Sequence, residues 1–377
     1  MSDSVALIAV DQAAFAYDFG PAHPLRPERV SLTYDRIGAL GLTELPNVRT
    51  EWAGSASDEQ LTAVHAPEFV ACVRAIDERE APASDGFDFG LGTPDDPIFA
   101  GMHASSAAVC GASVRAAELV VDGDADHAFN PAGGLHHARR AEASGFCIYN
   151  DPAVAIARIL ELRPEWRVMY VDVDVHHGDG VQWIFYENPK VLTVSLHQSG
   201  SYLYPGTGFE DEIGAGQAIG TSINVPLLPY TGETDYLWAL ERVLMEAARA
   251  YRPEVLVTQL GADTHHGDPL ANLGLTMSAY PLMGALLHEV ARDLCGNRWV
   301  ATGGGGYQFD TIVPKVWTMH FAGMCAAPEL VPEEWLDDVS PDEVSRPYRE
   351  PVERSVEQVL GECLPRLAEL SATGHDG

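Results

Sequence analysis

Adjacent histidines occur three times in this chain, each time beside glycine or aspartate residues that follow an apolar run. The pairs are residues 136–137 in "GGLHHARRAEASGFCIYND", 176–177 in "VDVDVHHGDG" and 265–266 in "LGADTHH". Imidazole and carboxylate groups bind divalent metal ions, and both can transfer protons in enzyme active sites. The spacing therefore points to chemistry with a metal ion, to proton transfer, or to both.

A candidate metal site combines residues from two of these stretches. In a strand, alternate side chains share one face, so "VDVDVHH" predicts that Asp172, Asp174 and His176 point to the same side. Asp263 follows a second apolar run, "VLVTQLGAD". Asp174, His176 and Asp263 could together hold a divalent ion and leave a position for water. The alternative is an ordinary half-exposed strand, but the apolar flanks indicate a buried sheet, where unpaired carboxylates are costly.

Two further clusters leave alternatives open. His136 and His137 follow a glycine pair, and they could be metal ligands, proton carriers or a hydrogen-bonded surface pair. "TGGGGY", from Thr302 to Tyr307, has neither the G-x-G-x-x-G spacing with a later acidic partner nor a Walker lysine, which argues against nucleotide binding. Glycines let a backbone pass close to a substrate and present Tyr307 to it. A tight turn with a packed tyrosine is the alternative.

The elements that position these clusters follow an alternating pattern. Six short β-branched runs end in polar or glycine residues: "VALIAVDQ", "HAFNP", "RVMYVDVDV", "VLTVSLH", "VLVTQLGAD" and "WVATGGGG". Helical patterns lie between them, including "DPAVAIARILEL", with Asp151 as its N-cap. This predicts an α/β fold with one open, mostly parallel sheet, helices on both faces and the active site at the C-terminal ends of the strands. We predict a single catalytic domain over residues 1–370 and a flexible tail over 371–377.

Composition narrows the class of partners. The net charge is -32 and only two of the 377 residues are lysines, so no nucleic acid is expected as a partner. An acidic surface attracts cationic peptides, amines or metal ions, although the charge taken by itself favours the simpler explanation, solubility alone. The six scattered cysteines indicate reduced thiols. Without a signal peptide or a long apolar stretch, the expected location is cytoplasmic, with no membrane partner.

Together the motifs resemble the histone deacetylase superfamily, which has the arginase/deacetylase fold. The shared motifs, in order, are "GGLHHA", "SGFCIYND", "YVDVDVHHGDGVQ", "VLTVSLH", "YPGTG", "INVPL", "LGAD", "GDPL" and "GGGGY", within about residues 20–320. The segments "HPLRPERV", "DDPIFAGMH" and "GGGGYQFDTIVPKVWT" look most like the bacterial acetoin-utilisation branch. The resemblance implies hydrolysis of an acetyl amide on a lysine side chain by metal-activated water, with release of acetate.

The resemblance also implies residue roles. Zn²⁺ would be bound by Asp174, His176 and Asp263, and the same ligands would accept Fe²⁺. His137 would be the general base and then the general acid, with His136 as its electrostatic partner. Asp179 would support His137, Asp172 would support His136, and Tyr307 would donate a hydrogen bond to the oxyanion.

Further roles are implied for the substrate channel and for a monovalent cation. The channel for the acyl-lysine stem would be formed by Asp95, Gly145, Phe146, Tyr204 and Leu270. A K⁺ ion would be held by Asp172, Asp174, His176, Ser195 and Leu196. Acetylated proteins or peptides are the implied substrates, with acetylated polyamines as an alternative on the same scaffold, and no oligomeric state is indicated.

Several features depart from these patterns. Gly178 and His265 stand where the related arginases carry aspartates for a second metal ion, which favours one metal and amide hydrolysis. His265 and His266 could tune the rim, bind a metal adventitiously or form a surface pair, and His177 has no assigned role. A non-catalytic acyl-lysine binding protein is a further alternative. The intact set of acid, base and oxyanion groups argues against it, because binding alone needs none of them.

Overall fold

The computed structural model describes residues 3–10, 12–336 and 339–373. Its eight strands form one sheet in which all pairings are parallel, in the order β2-β1-β3-β8-β7-β4-β5-β6. The strands are β1 (Val5–Ala9), β2 (Val48–Trp52), β3 (His127–Asn130), β4 (Val168–Asp172), β5 (Val191–Gln198), β6 (Ser222–Leu227), β7 (Val255–Gln259) and β8 (Trp299–Thr302). The predicted fold class is confirmed.

Eleven α-helices occur in the described residues. They are α1 (Glu28–Ala39), α2 (Asp58–Thr62), α3 (Pro67–Asp77), α4 (Met102–Asp122), α5 (Asp151–Leu162), α6 (Asp179–Phe185), α7 (Glu233–Tyr251), α8 (Ala279–Leu294), α9 (Ile312–Met324), α10 (Pro341–Val344) and α11 (Arg349–Thr373). One group joins α4 to α5, and a second runs from α1 through α9, α8 and α7 to α11. The two groups cover the two faces of the sheet, as parallel sheets require.

Helix α4 is long and apolar enough to cross a membrane by length and composition. However, 83% of its most apolar window is buried inside the protein, where it packs against α5 and β3. Its close packing depends on small residues, since a Cβ atom on Gly111 would lie 1.9 Å from the carbonyl oxygen of Gly54. These features are typical of a core helix.

The N-cap of helix α5 lies one residue earlier than the sequence predicted. Its N-cap is Asn150, whose side-chain oxygen accepts from the backbone N–H of Ala153 at 3.0 Å. The predicted N-cap, Asp151, is instead the first helical residue. Its buried carboxylate accepts from the backbone N–H groups of Gly134 at 2.9 Å and Leu135 at 2.8 Å. The start of α5 therefore fixes the loop that carries the first histidine pair.

The polar clusters follow the four central strands, β3, β8, β7 and β4, at their C-terminal ends. Strand β4 ends at Asp172, so Asp174 and His176 lie in the loop that precedes α6. The prediction that strand alternation aligns all three side chains is therefore wrong. Their convergence comes from the conformation of that loop.

The remaining sequence predictions concern the thiols and the C-terminal tail. All six cysteines are free, five of them buried and Cys72 half-buried, in agreement with reduced thiols. Helix α11 includes residues 371–373, so this part of the predicted flexible tail is helical. Residues 374–377 lie outside the described part of the chain, and the single domain over 1–370 stays a prediction.

Candidate active site

Three buried ligand groups converge at the C-terminal ends of the strands. His176 Nδ1 lies 3.0 Å from Asp174 Oδ1 and 3.2 Å from Asp263 Oδ2. One ligand atom from each of the three residues lies within 4.8 Å of the others. Both carboxylates are fully buried. The predicted metal ligands are thus brought together from the loops after β4 and β7.

Backbone and amide donors aim the two carboxylates. Asp174 Oδ2 accepts from Gln259 Nε2 at 2.5 Å and from the Gly305 N–H at 2.7 Å. The backbone N–H of Val175 donates to Asp263 Oδ1 at 3.0 Å. Each carboxylate therefore keeps its other oxygen for His176 and the space between the three groups.

The buried carboxylates of this cluster favour the binding of a cation. Burial and the neighbouring Asp174 charge raise the pKa of Asp263 to about 7. Burial alone would lower the pKa of His176, but its hydrogen bonds to Asp174 and Asp263 outweigh burial and raise this pKa to about 10. Two carboxylates and one imidazole, buried and oriented in this way, fit a single divalent ion such as Zn²⁺ or Fe²⁺.

Substitution of Gly305 by alanine is expected to weaken divalent-metal binding about 10-fold to 100-fold, the usual effect of disturbing groups that orient metal ligands. A Cβ atom there would lie 2.1 Å from Asp263 Oδ2 and 2.6 Å from Asp174 Oδ2, so both carboxylates would have to move. Zn²⁺ titration followed by metal analysis measures the effect. Gly38→Ala is the matched control, because its Cβ would meet open space. Equal Zn²⁺ affinity in both variants would contradict the expectation.

Two histidine–aspartate pairs lie beside the metal ligands. His136 Nδ1 is 2.7 Å from Asp172 Oδ2, and His137 Nδ1 is 2.7 Å from Asp179 Oδ1. The two rings face each other, with 3.1 Å between their Nε2 atoms. The guanidinium of Arg139 donates to the second oxygen of Asp179 at 3.0 Å. All four predicted catalytic residues of these pairs are therefore in contact.

The two imidazoles have opposite pKa shifts. Burial alone would lower the pKa of His136, but the charges of Asp172 and Asp174 outweigh burial and raise it to about 9. Burial and the adjacent His136 charge lower the pKa of His137 to about 4. These shifts favour a protonated His136 and a neutral His137 at neutral pH. Because Nδ1 of His137 faces Asp179, Nε2 is the nitrogen that a general base would use, and it lies 3.1 Å from Nε2 of His136.

Tyr307 follows the glycine run after β8, and two residues that the sequence reasoning missed hold its segment. The buried Arg29 guanidinium donates to the carbonyl of Gly304 at 2.7 Å. Asp268 accepts from the backbone N–H of Tyr307 at 2.8 Å. Both lie in motifs quoted above, "HPLRPERV" and "GDPL", so those motifs were the available signal.

The five predicted channel residues line one cavity together with the site. It is lined by Asp95, His137, Gly145, Phe146, His176, Leu203, Tyr204, Leu270 and Tyr307. The Tyr204 ring lies 5.0 Å from the His137 ring, and its hydroxyl is 2.5 Å from Ser144 Oγ. Gly145 cannot be larger, since a Cβ atom would lie 2.5 Å from the His137 ring. Its backbone also has a positive φ of 56°, which favours glycine.

Comparison with known proteins identifies the family. The histone deacetylase domain model matches residues 23–324. The chain belongs to the histone deacetylase family. The acetoin utilization protein AcuC of Bacillus subtilis (strain 168) is 41% identical over 323 residues, which cover 85% of this chain and 82% of the relative. The AcuC protein of Staphylococcus xylosus is 30% identical over 328 residues, covering 86% and 84%.

A solved structure agrees with this assignment. The crystal structure of an HDAC homolog from Aquifex aeolicus has a TM-score of 0.80 and 28% identity, and the match covers 94% of this chain and 99% of that one. The predicted resemblance, including the acetoin-utilisation branch, is confirmed.

The predicted potassium ligands of this histone deacetylase family member lie on neighbouring elements. Asp172 and Ser195 are paired across β4 and β5, and Leu196 follows Ser195. The Leu196 carbonyl accepts from the Tyr236 hydroxyl at 3.3 Å, and Ser195 Oγ is 2.8 Å from His197 Nδ1. The K⁺ assignment itself stays a prediction.

The histidines without an assigned role are partly accounted for by their contacts. His177 is buried and bridges Thr207 Oγ1 at 2.9 Å and Gln182 Oε1 at 3.1 Å. These two contacts connect the loop that follows Tyr204 to α6. His265 is buried and stacked on Tyr280, so the surface-pair alternative is wrong for that residue.

Proposed function

We propose that this family member is a metal-dependent amidohydrolase that removes acetyl groups from lysine side chains of proteins or peptides and releases acetate. One observation carries the proposal. A neutral histidine backed by a carboxylate, His137 with Asp179, lines the same cavity as His176 of the metal-ligand cluster and as Tyr307. Base, metal ligands and hydroxyl donor around one cavity are the groups that amide hydrolysis requires.

The residues divide the work as follows. A divalent ion held by Asp174, His176 and Asp263 would lower the pKa of water and polarise the acetyl carbonyl. His137 accepts a proton from the attacking water and later returns it to the leaving amine. The protonated His136 beside it stabilises negative charge, while Tyr307 donates its hydroxyl proton in a hydrogen bond to the oxyanion.

The channel supports an acyl-lysine substrate. Phe146 and Tyr204 both line the cavity and would contact the aliphatic stem of the substrate, and Leu270 is an exposed apolar group of the same lining. Asp95 is exposed at the same rim and would accept from the substrate backbone. The proposal extends to Zn²⁺ as the resident ion, with Fe²⁺ compatible, to K⁺ beside Asp172, and to a cytoplasmic location.

Hydrolysis of a small acetylated polyamine is the second candidate, because a net charge of -32 also attracts cationic amines. An assay of an acetyl-lysine peptide beside acetylputrescine, with and without a chelator, separates the two. We expect chelator-sensitive acetate release, faster from the peptide. Faster release from acetylputrescine would favour the second candidate. No chelator-sensitive release from either, with retained peptide binding, would leave a binding protein and overturn both enzyme proposals.

A further inference from the structure

A second cluster of potential metal ligands lies at the N-terminal ends of the strands, opposite the active site. Asp3 precedes β1, His127 is the first residue of β3, and His288 lies on α8. One ligand atom from each of them lies within 4.8 Å of the others. His288 Nε2 is 2.9 Å from Asp3 Oδ2. Three elements distant in sequence thus bring two imidazoles and a carboxylate to one point.

The hydrogen bonding of this cluster is incomplete. His127 is fully buried, and neither of its ring nitrogens makes a hydrogen bond of normal geometry with the described residues. The Asn297 amide donates to Asp3 Oδ1 at 2.9 Å, while its own buried oxygen has no partner in the same part of the chain. The Asn297 side chain nevertheless lies close enough to the His127 ring to interact with it. Buried polar atoms without partners are uncommon in native structures, and a bound ion or water molecule is one explanation for them.

The donor types and the access route suit a transition-metal ion. Two imidazole nitrogens and a carboxylate oxygen, with an amide oxygen beside them, are a nitrogen and oxygen set for Zn²⁺ and similar divalent ions. The His288 and Asp3 side chains are 19% and 21% exposed, which gives an ion a path from solvent.

We propose that Asp3, His127 and His288 form a second site for a divalent transition-metal ion such as Zn²⁺, independent of the active site. The bound ion would connect the segment before β1 to β3 and α8. It would stabilise the N-terminal ends of these strands and would not affect catalysis, because the reacting groups lie at the opposite ends of the strands.

Zn²⁺ binding by the full-length protein, freed of any polyhistidine tag, tests this site. Equilibrium dialysis and metal analysis should show one tight Zn²⁺ fewer per chain in His288→Ala than in the unmodified protein. Asp293→Asn is the matched control, since it removes an exposed carboxylate on the same helix and should leave the count unchanged. His288 is partly exposed, so its truncation leaves the core intact. Deacetylase turnover should be equal in all three proteins.

A second measurement separates this site from the catalytic one. In a His176→Ala background, which removes an active-site ligand, added Zn²⁺ should still raise the thermal unfolding midpoint. The rise should disappear when His288→Ala is added. Equal Zn²⁺ content in the unmodified protein and in folded His288→Ala would overturn the proposal, as would an unchanged midpoint shift in the double variant. Neither result depends on whether the chain is a deacetylase.

Discussion

The His137→Ala variant is expected to lose about 10³-fold to 10⁴-fold of turnover on an acetyl-lysine peptide while it binds the same amount of metal. In the proposed mechanism, His137 acts twice, first as base and then as acid, and general acid–base catalysis contributes about 10²-fold to 10⁴-fold. Its Nδ1 is 2.7 Å from Asp179, which fixes the ring and leaves Nε2, 3.1 Å from Nε2 of His136, as the nitrogen for proton transfer. Steady-state kinetics and metal analysis of the same sample measure both quantities.

The neighbouring histidine supplies the control for this assignment. In the proposed mechanism His136 acts through its charge, so His136→Asn should retain more turnover than His137→Ala. The same charge is one cause of the low pKa of His137, after burial. Its removal therefore raises the pKa of His137, and the acid limb of the kcat/KM profile should move to higher pH. An unchanged acid limb, or a larger loss in His136→Asn, would reverse the two roles.

The sheet was predictable from sequence in its interior and not at its edges. All six predicted runs became strands, and the two strands that were missed, β2 and β6, are the two edges of the sheet. An interior strand of a parallel sheet is buried on both faces and appears as an apolar run. Strand β2, "VRTEW", is half-exposed and charged, and β6, "SINVPL", contains Pro226, which is tolerated at edges.

The identities of the active-site residues were predictable from the motifs, but their arrangement in space was not. Asp174 and His176 converge through a loop after β4, where the assumed strand alternation no longer applies. Arg29 and Gln259 were missed because each acts through a contact with a segment distant in sequence. Arg29 supports the carbonyl of Gly304, and Gln259 orients Asp174. The quoted motifs contain both residues but do not specify which distant groups they contact.

The Tyr307→Phe variant is expected to lose about 10²-fold to 10³-fold in kcat, the usual effect of removing one donor to an oxyanion. Burial, with the charge of Asp263, raises the pKa of Tyr307 well above its ordinary value, so the hydroxyl remains a donor across the working pH range. The backbone of this residue is fixed by Asp268 at 2.8 Å, so loss of the hydroxyl leaves the ring in place.

The separate effects of Tyr307→Phe on kcat, KM and metal content distinguish an oxyanion donor from a structural tyrosine. Because the hydrogen bond strengthens as negative charge develops, kcat should fall while KM and metal content stay nearly constant. Tyr202→Phe is the matched control, since Tyr202 is 61% exposed and should tolerate the change without effect on kcat. A fall in metal content parallel to the fall in turnover would assign Tyr307 to the structure of the metal cluster. Full activity without the hydroxyl would remove it from the mechanism, because an interaction made only in the transition state cannot be lost without slowing the reaction.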